Sequence, residues 1–409
     1  MPQQTTDAPQ IDAAQFLTKV ERLAAWHGQL RDTAQLAQAE AAAERVRLGR
    51  ALTDALAERA EALLAAEGLA LARYVDARRG RVRRKRSNRL SKLADRVLVR
   101  LRSIGSALVL ARSGVWRASG RGLAARLFDL RMMAAYARRG PAHGVPPAAL
   151  FDQDWYIARY PDVAAGRRSP LIHYLTNGGR EGRSPHPLFN GEHYLAENAE
   201  AVGACGLTPL AHFVLIGCHE GRNPHPLFDV AYYVAQAPEL AASGEDPVSH
   251  YLREGSARGL SPHPLFSPAY YRAQLAPGEG EDRTLLAHYL TVGADRGLKP
   301  HPLVDPAWYR EQGGEAPGEG PEPLTHYLTA GAAEGRDPSP WFDTGHYVAV
   351  RGEALAAGVN PLVDYVRAGA WRVGEARPGF PTAAYVAANA DKLAVGVTPL
   401  EHWAGLAAP

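Results

Sequence analysis

Residues 151–188, FDQDWYIARYPDVAAGRRSPLIHYLTNGGREGRSPHPL, decide the fold, because related stretches recur to the end of the chain. Copies begin at Phe151, Phe189, Phe228, Phe266, Val304, Phe342 and Phe380, with a period of 38 residues that the second copy exceeds by one. Self-similarity at such a period is the signature of a stacked array, in which each unit buries its apolar face against its neighbours. Glycine (40) and proline (31) are abundant, and they recur at fixed places, as structural punctuation does.

Each unit reads as two short helices. The first carries an aromatic pair, as in Trp155-Tyr156, Tyr232-Tyr233, Tyr270-Tyr271 and Trp308-Tyr309. The second begins at Ser169-Pro170, Thr208-Pro209, Asp246-Pro247, Asn360-Pro361 and Thr398-Pro399, a capping residue followed by a proline whose missing N–H costs nothing there. Leu285 breaks this rule in the fourth unit, and Glu322 is read as a poorer cap in the fifth. Gly178, Gly217, Gly255, Gly293, Gly331 and Gly369 are expected to end the second helix in the left-handed conformation. The tail, as in Pro185-His186-Pro187, is expected to be extended.

Upstream, residues 1–75 are rich in Ala, Leu, Glu, Gln and Arg, with Phe16, Val20, Leu23, Leu30, Leu52, Leu56 and Leu63 at helical spacing. This predicts one long helix or a helical hairpin broken at Gly49 or Gly68. A coiled-coil homo-oligomer and an intramolecular hairpin both fit. Residues 76–150 open with the run ARRGRVRRKRSNR. Arg73 to Arg139 holds 20 Lys or Arg against three Asp, so the formal net charge of +3 conceals one strongly basic block on an otherwise acidic chain. Leu90, Leu93, Val97, Leu101, Ile104 and Leu108, then Leu123, Leu127, Leu130, Met132 and Met133, give this block an amphipathic helical pattern. Arg83, Arg84, Lys85, Arg86, Arg89, Lys92, Arg96 and Arg100 form a patch suited to an anionic membrane surface or a partner. A solvated basic face on an internally packed helix is the plainer alternative. Nucleic acid is disfavoured, since no stacking aromatics interleave with the charges. The expected architecture is therefore all-α: an Ala-rich helix or coiled coil (1–75), a basic amphipathic segment (76–150) and an α-solenoid of seven two-helix units (151–409).

Polar residues recur with the units. His173, His212, His250, His288, His326 and His402 sit early in the second helix, with Asp364 in the sixth unit. His186, His225, His263 and His301 occupy the linkers, with Ser339 in the fifth. Ligands of one metal ion should cluster, whereas these are spread along the array. The structural expectation is that each histidine bonds a backbone carbonyl or the cap of its own turn. Triplets such as Glu181-Gly182-Arg183, Glu220-Gly221-Arg222 and Glu334-Gly335-Arg336 are expected to pair and shape the exit from the second helix. Cys205 and Cys218 read as small buried hydrophobes. No phosphate-binding loop, dinucleotide fingerprint, nucleophile elbow, zincin motif or paired-cysteine zinc spacing occurs. No catalytic, cofactor or metal residue is therefore assigned. MPQQTTDAPQ lacks a signal-peptide layout and no apolar run is long enough to span a bilayer, which makes the cytoplasm the expected compartment.

The unit resembles a bacterial tandem repeat of the form FDxxYYLxxNPDVxxxGxNPLxHYLxxGxxEGRxPSPLF, found beside glycosyltransferase domains in cell-surface polysaccharide synthesis proteins. The first unit matches it at Phe151-Asp152, Trp155-Tyr156, Pro161-Asp162-Val163, Pro170-Leu171, His173-Tyr174-Leu175 and Glu181-Gly182-Arg183. The resemblance covers Phe151 to Pro409 and implies a context of envelope polysaccharide assembly, with glycosyltransferases as partners. It supplies no chemistry, since no transferase pattern is read in this chain. The leading expectation is a non-catalytic scaffold for protein–protein interaction, peripheral to the inner membrane. The alternatives are a carbohydrate-binding module that presents Trp155, Tyr233, Tyr271 and Trp308 to sugars, and a degenerate or accessory glycosyltransferase.

Overall fold

The computed structural model describes residues 105–407 apart from 108, 112, 117–122, 140–147, 149, 166–168, 314–321, 357, 368–369, 371–374, 390–391 and 394–396. The expected N-terminal helix and the patch Arg83–Arg100 lie outside the described residues. The described part is 57% helical, has no strand, and its helices recur as pairs.

In the first six units the first helix starts on a side-chain cap. Asp152, Asn190, Asp229, Ser267, Asp305 and Asp343 each accept the N–H three residues on with a side-chain oxygen. These residues follow the unit-opening aromatic or Val304, so a single dipeptide ends the linker and nucleates the next helix. The helices that follow include Gln153–Arg159, Val230–Gln236, Pro268–Arg272 and Thr344–Arg351. In the second unit two helical stretches meet across a kink at Asn198, within Gly191–Cys205, at the place where Tyr160 and Ala237 break the helix in the first and third units; the extra residue falls between Asn198 and Thr208.

The second helix departs from expectation. Pro170–His173 is one α-turn that widens into a π-turn, Tyr174–Gly178. The same change occurs at Phe213–Gly217, Tyr251–Gly255, Tyr289–Gly293 and Tyr327–Gly331. The glycines at the ends of these π-turns are not in the left-handed region; that conformation falls four residues later at Gly182, Gly221, Gly259, Gly297 and Gly335. Gly369 lies outside the described residues. What Gly178 and its equivalents supply is room. A Cβ at Gly255 would overlap the Tyr233 hydroxyl and lie 3.0 Å from its Cζ, and the same crowding occurs at Gly293 and Gly331. The wide turn opens a slot for a tyrosine from the first helix.

The caps of the second helix also need correcting. Thr284 caps the fourth unit despite Leu285, accepting from Ala287 N–H. Glu322 accepts two backbone N–H groups, from Leu324 and Thr325, which makes it a fuller cap than its residue type suggests. Ser169, by contrast, makes no side-chain cap bond. The linker is a tight turn and not an extended strand: Phe189 N–H returns to His186 C=O at 3.0 Å, and Phe228 and Phe266 do likewise to His225 and His263. Proline at the second turn position presets the φ this needs.

One continuous core runs through the units. Its largest fully buried side chains are tyrosines, including Tyr156, Tyr174, Tyr194, Tyr233, Tyr251, Tyr271, Tyr289 and Tyr365. Within a unit they meet edge to face, as Tyr233 and Tyr251 do with ring centroids 5.7 Å apart at 89°. Between units the hydroxyls bond across the junction, Tyr289 as a donor to Glu322 and others as acceptors. Tyr174 takes the N–H of Leu210 at 3.3 Å and Tyr365 that of Leu400 at 3.2 Å. Neighbouring linkers are tied by main-chain bonds, Asn190 N–H to Pro224 C=O and Asp229 N–H to Pro262 C=O, both 2.9 Å. Contacts also join units three apart: Arg367 pairs with Asp229 at 3.2 Å, and His301 Nε2 meets Glu401 Oε1 at 2.8 Å.

Upstream of the first unit, Leu123–Arg139 is a helix that buries Asp129, Met133 and Tyr136 along one side. Tyr136 OH accepts Leu171 N–H at 3.1 Å and donates to Gln153 Oε1. It thus does for the first unit what Tyr174 does for the second. Met133 packs inward as an apolar face predicts, but Leu127, Phe128 and Leu130 are exposed.

Candidate functional site

The repeated histidines draw attention first, and the structure uses both series. In the second helix, Nδ1 of each histidine meets the hydroxyl of the buried first-helix tyrosine. The distances are 2.7 Å for Tyr194–His212, Tyr233–His250, Tyr271–His288, Tyr309–His326 and Tyr385–His402. Tyr156–His173 is longer, at 3.1 Å. In the sixth unit Tyr347 donates to Asp364 instead, at 2.7 Å, and Arg351 completes the pair. The partner is therefore a side chain 17 or 18 residues away and not a backbone group of the same turn, which corrects the sequence expectation. The constant Tyr-to-His spacing was a readable signal. Its one-residue excess in the second unit, between Tyr194 and His212, coincides with that unit's extra residue.

The linker histidines stay within their own turn as expected, but through a backbone N–H and not a carbonyl. Nδ1 of His225 and His263 accepts the N–H two residues on, at 3.0 and 3.1 Å, and Ser339 does the same for Trp341. A ring nitrogen that must stay an acceptor cannot share its lone pair with a proton. Burial lowers these histidines far below the usual imidazole range, to about 3 for both His225 and His263. Desolvation likewise pushes the buried tyrosine hydroxyls up, Tyr233 and Tyr271 among them. These groups hold the fold and are protonically quiet near neutral pH.

The four aromatics expected on a binding surface divide. Tyr233 and Tyr271 are 0% exposed. Trp155 and Trp308, the other member of the aromatic pair in their units, are half-buried and keep ring area at the surface. Trp155 lies in a groove of about 870 Å³ whose walls come from the first unit (Asp152, Trp155, His186) and from the third and fourth (Leu252, Arg272, Arg283). Sequence spacing could not have found this groove, because its walls come from units two and three apart and meet only in the folded array.

The triplets behave partly as expected. Arg183 pairs with Glu181 at 2.7 Å and with Asp162 at 2.8 Å, and Arg222 pairs with Glu220 at 2.6 Å. Arg336 instead lies over the Tyr309 ring, 4.2 Å from its centroid, and donates to Tyr309 C=O. Cys205 and Cys218 are free thiols, the first half-buried and the second buried. Among the described residues no single helix is long and apolar enough to cross a membrane. No family model matches the chain, and no curated protein or solved structure does.

Proposed function

We propose that this chain is a non-catalytic scaffold, an α-solenoid of seven two-helix units that binds protein partners. The observation that carries this reading is how the repeated polar residues are spent. The tyrosine–histidine pairs and linker histidines are tied up in the fold, which leaves surface to act, above all the groove around Trp155. A half-buried tryptophan flanked by carboxylates and guanidinium groups suits an anchor position in a protein interface. The repeat's resemblance to glycosyltransferase-associated repeats makes such enzymes the partners proposed, within bacterial cell-surface polysaccharide synthesis. The test is affinity capture with the full chain and with Trp155→Ala/Arg272→Glu. Recovery of a glycosyltransferase by the first and its loss with the second is expected. Recovery that ignores the substitutions, or turnover of sugar nucleotides by the pure chain, overturns the reading.

The chain is further proposed to sit peripherally on the inner membrane from the cytoplasmic side. The excess of basic residues over Arg73–Arg139 supports this, as do exposed Leu127, Phe128 and Leu130 on the last helix of that segment. Sedimentation with anionic vesicles that fades as salt rises is expected, and equal binding to neutral vesicles counts against it. The N-terminal segment is proposed to mediate self-association. Trp155 in the same groove favours a second reading, carbohydrate binding, since sugar rings stack on indole; oligosaccharide titration that quenches Trp155 fluorescence distinguishes it.

A further inference from the structure

The third unit differs from the others in one respect. Four residues after its second-helix histidine stands Glu254, where the first, second, fourth and fifth units carry Asn177, Ile216, Val292 and Ala330. The consequence is a convergence. His250 Nε2 faces Glu254 Oε1 at 2.7 Å and Glu239 Oε1 at 3.6 Å. The ligand-type atoms of these three residues lie within 4.8 Å of one another, the one such group among the described residues. The His250 side chain is 2% exposed, so its Nε2 meets these carboxylates out of reach of bulk water. A buried ring nitrogen that converges with two carboxylate oxygens offers one nitrogen and two oxygen donors at a single point, the kind of set a cation binds.

A cationic group already lies beside it. Arg258 bonds Glu239 Oε1 and stands 3.6 Å from Glu254 Oε1, touching the same two oxygens. It replaces, from two positions earlier in the unit, the arginine that pairs with Asp162 in the first unit. Its side chain is 45% exposed, so it can swing into solvent at small cost. Arg253 holds the other oxygen of Glu254 at 2.6 Å, which leaves Oε1 as the one that turns inward.

We propose that Glu239, His250 and Glu254 form a binding site for a divalent first-row cation, Zn²⁺ foremost, in competition with the Arg258 guanidinium. One imidazole nitrogen and two carboxylate oxygens, completed by water, are a donor set such ions accept, at about 2.0–2.2 Å. The outer shell is in place: with Nε2 on the metal, Nδ1–H donates to Tyr233 OH, 2.7 Å away, fixing ring and tautomer. Two carboxylates balance the dication, and an ion here joins the second helix to the segment that follows the first.

The test is calorimetric titration of the full chain with ZnCl₂ at neutral pH, alongside Glu254→Val and Arg258→Ala. Valine is tolerated at the equivalent place in the fourth unit, so the first variant keeps the fold; melting without metal checks both. Wild type should bind one ion, Glu254→Val should weaken that binding about tenfold or more, and Arg258→Ala should tighten it. Zinc should raise the melting temperature of wild type and not of Glu254→Val. Absence of binding, identical isotherms for wild type and Glu254→Val, or weaker binding by a folded Arg258→Ala each overturns the site. None of these outcomes bears on partner capture, which rests on the Trp155 groove.

Discussion

Replacing Gly255 with alanine tests the central packing device. By helix propensity alone the change should help, since alanine is about 1 kcal/mol better than glycine inside a helix. The structure predicts the opposite. The new Cβ would overlap the Tyr233 hydroxyl and lie 3.0 Å from its Cζ, so the ring must retreat from its slot. Overpacking costs about 1–3 kcal/mol. Retreat also breaks the 2.7 Å bond to His250, at about 1–3 kcal/mol for a buried polar group left unpaired. Less the propensity gain, the net loss is about 3 kcal/mol. Urea unfolding followed by circular dichroism measures it, and Tyr233→Phe separates the causes. Without the hydroxyl, Gly255→Ala should cost little more, giving a coupling energy of about 2 kcal/mol. Gly259→Ala is the control. Its φ of +74° penalises alanine by about 1–2 kcal/mol, but nothing lies within 4 Å, so the loss should add independently of Tyr233→Phe. A neutral Gly255→Ala, or one whose cost survives Tyr233→Phe in full, refutes the slot.

Other consequences are open to measurement. His225 and His263 are depressed to about 3 in the folded state against an ordinary 6.5, so their contribution is complete above pH 6.5 and drains away below it. Each should remove about 1 kcal/mol between pH 6 and pH 5. His225→Ser and His263→Ser should flatten that slope, since Ser339 does the same job without titrating; urea titrations at the two pH values decide. Glu322→Ala loses two cap bonds and strips the buried Tyr289 hydroxyl of its acceptor, and should cost about 2–4 kcal/mol, whereas Ser169→Ala, which removes a hydroxyl with no partner, should be neutral. Equal costs would contradict the cap assignments. Tyr365→Phe strips Leu400 N–H of its acceptor and should destabilise the last junction by about 1–3 kcal/mol, seen as faster hydrogen exchange at Leu400 while the first units stay protected.

The sequence by itself determined the helical class, the recurrence of helix pairs, most second-helix starts and the structural use of the linker histidines. These depend on short-range chemistry: capping oxygens, prolines that preset φ, and a period repeated often enough to outvote local exceptions. Glu322 shows the limit even there, since a longer carboxylate that ranks poorly as a cap bonds two N–H groups once its neighbours fix it. Only the tertiary structure decided the rest. The π-turn exists because a tyrosine 22 residues before Gly255 needs the volume a Cβ would occupy, and no window within one helix contains that information. The second-helix histidines found partners 17 or 18 residues back, the Trp155 groove joins the first unit to the third and fourth, and the Glu239–His250–Glu254 cluster depends on chain reversals. Such contacts form where two surfaces are pressed together, and the energy that presses them is the shared burial of the tyrosine core.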